Sequence, residues 1–135
     1  MRALLLALLL PLAACLAPEP PLPPAGTPYA SMIIPGDNLY PSYESRIYAT
    51  DVVAVLEPAH PANDMKETRN IKPLPPGTWA ELLRLNALPQ RISPVRPDPP
   101  ECCHADATPV YGFAHHPGPL APEAFEGALE WSRQQ

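Results

Sequence analysis

Prolines interrupt this chain so often that little room remains for regular structure: 23 of its 135 residues are proline. Each removes a backbone donor and fixes φ, so helices and central strands are confined to the few windows that lack one. The densest run is PEPPLPPAGTP, residues 18–28, with six prolines in eleven positions. It reads as an extended polyproline-II spacer of about 30 Å. The same run as a docking site for a proline-reading module requires an aromatic-grooved partner, which nothing in the sequence indicates.

The windows between prolines set the expected elements. Tyr29 to Ile34 reads as a strand closed by the turn-forming Pro35-Gly36-Asp37-Asn38. Residues 45–57, SRIYATDVVAVLE, read as one longer strand at the centre of the core, with valines apolar on both faces. The polar stretch that follows, through Lys72, carries no strand signal. Thr78 and Glu81 have capping-box spacing, and Trp79, Leu82, Leu83 and Ala87 share a face, which predicts a helix over residues 79–88 ended by Pro89. In this reading Glu81 is a capping carboxylate, not a general base. Residues 89–101 hold five prolines and admit at most an edge strand, and residues 109–113 are a further short strand. Pro122 opens a last helix over residues 122–133, with Glu123 and Glu126 at its start and Phe125, Leu129 and Trp131 to pack it down. The expected fold is a small single α+β domain over residues 29–135, with few short strands, two short helices and much irregular proline-rich chain. Such a chain could also stay largely disordered until it meets a partner.

The N-terminus carries an address. Met1-Arg2 precede an apolar run from Ala3 to Leu12, followed by Ala13-Ala14-Cys15, the basic, apolar, small-residue order of a secretory signal over residues 1–14. The run is too short for a permanent span, which takes about 20 apolar residues. Leu12-Ala13-Ala14-Cys15 resembles the lipobox of bacterial lipoproteins, and the resemblance covers residues 1–15. It implies cleavage before Cys15 and lipidation of Cys15 with acyl chains such as palmitate. Residues 15–28 are then a lipidated cysteine and its proline-rich tether. Each buried methylene contributes about 0.8 kcal/mol, so several chains hold a protein to a membrane durably. The family's sorting habit keeps many proteins with aspartate after the cysteine in the inner membrane. Leu16 stands there in this chain, which points to the outer membrane facing the periplasm.

Charge argues against nucleic acid as a partner. The chain has 9 basic and 14 acidic side chains, a formal charge of -5, so it repels phosphate. The basic residues are scattered and no aromatic side chains interleave with them as a base-stacking platform requires. Tyr40, Tyr43 and Tyr48 offer aromatic surface that fits ordinary strand and loop packing.

One constellation carries donor chemistry. Cys102-Cys103-His104 and His115-His116 place two thiols and three imidazoles within fifteen residues, the atoms that zinc or copper take. Adjacent cysteines point different ways on a regular backbone, and no CxxC, HxxxH or CxxCH pattern is present. In an oxidising compartment the reading of the two thiols as free or disulfide-bonded structural cysteines comes ahead of the metal site, and a redox-active pair comes last. His60 with Asp64 and one of Ser31, Ser42, Ser45 or Ser93 makes no recognisable hydrolytic set, since no serine sits in a GxSxG elbow. The sequence therefore reads as a non-catalytic, membrane-anchored envelope protein that binds another envelope protein or helps assemble a complex, with a copper- or zinc-binding lipoprotein as the alternative.

Overall fold

The computed structural model describes residues 19–36, 41–59, 67–89 and 108–135. The protein is a small α+β domain: a five-stranded antiparallel sheet and two helices. The strands are β1 (Tyr29–Ile34), β2 (Tyr43–Tyr48), β3 (Val52–Glu57), β4 (Thr68–Pro73) and β5 (Val110–Ala114). The helices are α1 (Thr78–Asn86), between β4 and β5, and α2 (Pro122–Arg133), at the end. The spatial order is β4-β3-β2-β1-β5, so the first four strands form a meander and β5 returns beside β1.

Two strands, β1 and β5, and both helices fall where the sequence places them, with boundary shifts of a residue or two. The stretch 45–57 differs: it is not one strand but the hairpin of β2 and β3. Ala49, Thr50 and Asp51 make a three-residue turn, in which the Asp51 amide donates to the Tyr48 carbonyl at 3.0 Å and Asp51 takes a left-handed φ of 55°. This is the geometry of a three-residue hairpin, and aspartate tolerates the left-handed position better than most residues. Strand β4, TRNIKP, lies in the stretch read as featureless. One buried apolar side chain, Ile71, suffices there because β4 is at an edge of the sheet and its other residues are exposed.

Strand alternation divides the core in two. Ala30 and Ile47, paired across β1 and β2, face the helices and are fully buried with Leu82 of α1 and Ala124, Phe125 and Ala128 of α2. The helices also approach each other closely at Gly127, where a β-carbon would come to 2.9 Å from Leu85 Cδ1. On the opposite face Tyr48, Ala54 and Ile71 form a second cluster, and Leu22 packs against it. The Glu19 carboxylate accepts a hydrogen bond from the Ile71 amide on β4. Part of the proline-rich N-terminal segment is therefore a strap docked on the sheet. Pro73 has no amide to offer, so the strap and the proline together blunt an edge that would otherwise present unpaired donors. Glu19→Ala should raise the exchange rate of the Ile71 amide about tenfold in hydrogen-exchange NMR, with little change in the urea midpoint. Unchanged protection at Ile71 would mean that the carboxylate does not close this edge.

Candidate functional site

The helix start is built from a distance. Gly77, with φ 94°, is the N-cap of α1 and supplies no side chain. Asp51, in the β2–β3 turn, fills that role: its Oδ2 accepts from the Gly77 amide and its Oδ1 from the Trp79 amide, each at 2.8 Å. Its carbonyl also accepts from the Leu74 amide at 2.8 Å, so one residue ties the hairpin to the β4–α1 connection. The capping box expected from Thr78 and Glu81 is not formed. Thr78 is fully buried and its hydroxyl donates to the Pro75 carbonyl at 2.7 Å. Glu81 instead accepts two hydrogen bonds from the Arg84 guanidinium, each 2.7 Å, and this pairing lowers the Glu81 pKa below the ordinary carboxylate value. A lowered folded-state pKa means that this small surface contribution is present above the ordinary value and fades as pH falls through the lowered one.

Capping places Trp79 beside the turn that follows β5. Phe113 lies 6.0 Å from the Trp79 ring at 77°, and His116 lies 4.5 Å from Phe113 and 5.8 Å from Trp79. The Nδ1 atom of His116 is buried without a hydrogen-bond partner. Its neighbour His115 is exposed and holds a left-handed φ of 57°. The two adjacent imidazoles thus occupy different surroundings, one among aromatic rings and one in water. Cys15, Cys102, Cys103 and His104 lie outside the described residues, as do His60 and Asp64. Among the described residues no three histidine, cysteine, aspartate or glutamate side chains are grouped as a metal site requires. The Trp79, Phe113 and His116 cluster was not legible in the sequence, because its members are 34 or more positions apart except for the last two and meet only through the sheet and the Asp51 cap.

A second region lies on the strap-bearing face. Arg46 donates to both Glu44 carboxylate oxygens at 2.7 and 2.9 Å and to the Tyr48 hydroxyl at 3.3 Å, and its guanidinium sits 4.6 Å from the centroid of the Tyr29 ring. The Glu44 hydrogen bonds raise its pKa further above the ordinary arginine value against the opposing effect of burial. A cleft of about 300 Å³ opens here between Leu22, Leu56 and Pro58 on its apolar side and the Arg46–Glu44 and Arg69–Glu67 pairs on its polar side. Both guanidiniums already hold carboxylates, so an anionic ligand entering the cleft would have to compete with internal partners. Tyr43 and Tyr48 do not form one patch: they are β2 residues of opposite parity, and Tyr48 is buried with its ring 5.2 Å from Tyr29.

No family model, curated protein or solved structure matches the chain.

Proposed function

We propose that the chain is an exported lipoprotein, anchored in the bacterial envelope through Cys15, whose domain acts without catalysis as a binding or assembly module for another envelope protein. The observation that carries this reading is Leu12-Ala13-Ala14-Cys15 at the end of the apolar leader. The outer membrane, facing the periplasm, is the proposed location. Among the described residues several polar side chains are held by internal contacts: Asp51 caps α1, Glu81 holds Arg84, Glu44 holds Arg46 and His116 packs against Trp79 and Phe113. These groups serve the architecture.

The anchor is tested by the intact mass of protein purified from membranes of an expressing bacterium, beside Cys15→Ser. The expected mass lacks residues 1–14 and carries acyl chains, and the variant lacks them and leaves the membrane fraction. An unmodified wild-type mass would refute the anchor. The assembly role is tested by crosslinking in intact envelopes and affinity recovery, where recovery of the protein alone at native abundance would count against it.

A further inference from the structure

Glu19 follows Cys15 by only four positions in the sequence, and Glu19 is bonded to the Ile71 amide of β4. Whatever path the intervening chain takes, four residues reach at most about 14 Å. With Cys15 acylated, the domain therefore cannot stand off the bilayer on a long spacer. The strap fixes which side is near. Leu22 lies on the sheet face opposite the helices, against Tyr48, Ala54 and Ile71. Turning the helices toward the bilayer would interpose a layer of helix diameter about 10 Å at a layer spacing of about 10 Å, and would lift Glu19 to roughly 15 Å or more above it.

Two further observations agree on the side. Ile33 and Val110 are paired across β1 and β5 and are 36% and 57% exposed, and strand register places them on the same face as Tyr48, Ala54 and Ile71. On that face Arg46 is matched by Glu44 and Arg69 by Glu67, and the strap adds the Glu19 carboxylate, one in excess. The helices instead carry four glutamates, at 81, 123, 126 and 130, against Arg84 and Arg133. An anionic lipid surface repels the helical side, with two carboxylates in excess, more than the other. Resting on the lipid anchor proposed above, we infer that the strap-bearing face of the sheet lies against the phospholipid surface, with Ile33 and Val110 in the headgroup layer, and that the helical face is turned to the partner.

The test places a photo-crosslinking amino acid at Val110, Ile33, Arg69, Leu88 or Glu130 of the full acylated protein, in vesicles of phosphatidylethanolamine and phosphatidylglycerol. Phospholipid adducts are read by mass. Positions 110 and 33 should give about five-fold or more adduct than 88 and 130, the exposed apolar and charged controls on the helical side. A flexible insertion of about 20 Gly/Ser residues between Leu16 and Ala17 should reduce that excess several-fold, because the short link no longer confines the domain. Equal adducts at all positions on acylated protein, or adducts confined to 69 at the β4 edge, would overturn the orientation and leave the anchor standing. An intact mass without acyl chains would overturn both.

Discussion

Phe125→Ala should lower unfolding stability by about 4 kcal/mol, measured as a fall in the urea midpoint with unchanged slope. Phe125 is the largest fully buried side chain among the described residues and meets the Tyr111 ring edge-on at 5.8 Å. Truncation removes the apolar area and leaves a cavity between α2 and the sheet. The flanking backbones of α2 and β1 cannot collapse into it without breaking their own hydrogen bonds. Domains of this size have about 5–15 kcal/mol of total stability, so the variant should be largely unfolded by modest denaturant. Phe125→Leu, which keeps most of the volume, should lose less than about 1.5 kcal/mol. A loss below that figure for the alanine variant would show that the core does not close over this ring.

Asp51→Ala should cost about 3 kcal/mol. The substitution removes both acceptors of the Gly77 and Trp79 amides and forces alanine into a φ of 55°. Loss of a capping side chain typically costs about 1 kcal/mol and up to about 2, and the left-handed backbone adds about 1 more. Two variants separate these contributions. Asp51→Gly relieves the backbone and loses only the cap. Asp51→Asn keeps the turn preference and one acceptor, so it should lose about half as much as alanine. The distinctive readout is remote: fluorescence of Trp79 and exchange of its amide should change in all three, although the substituted position is in a β-turn 28 residues earlier. If Trp79 is indifferent while stability falls, the turn matters for the hairpin alone and the capping assignment is wrong.

Asp51 also shows where sequence reasoning reaches its limit. Thr78 and Glu81 have the spacing of a local cap, and local spacing is what a sequence displays. The actual cap comes from a residue whose only local signature is a turn-forming aspartate between two strands. The same holds at the other helix, where the Asn86 side chain at the end of α1 accepts from the Ala121 amide at 2.8 Å and donates to the Pro119 carbonyl at 3.1 Å. Long-range caps of this kind weld elements together. They are invisible to any rule that counts positions along the chain.

Strand β4 was hidden for a related reason. Its sequence, TRNIKP, has a single apolar residue and a proline, and period-two patterning needs several alternations to register. Its strand character comes from the waiting edge of β3, whose donors and acceptors it satisfies in the register Ala54 to Ile71. The candidate donor set divides in the same way. Adjacent His115 and His116 look interchangeable in the sequence, but the left-handed turn at His115 leaves one imidazole in water and sets the other against Phe113 and Trp79.

By itself the sequence determined the α+β class and the positions of β1, β5 and both helices, and it carries the lipobox resemblance on which the proposed anchor rests. Each of these follows from local chemistry: apolar periodicity, proline punctuation, and small residues before a cysteine. Tertiary structure alone decided that residues 45–57 fold back as a hairpin, that β4 exists, that a distant aspartate starts α1, and that the proline-rich segment is docked through Glu19 and Leu22. The physical reason is common to all four, since each depends on a backbone group or an apolar hollow supplied by residues far along the chain.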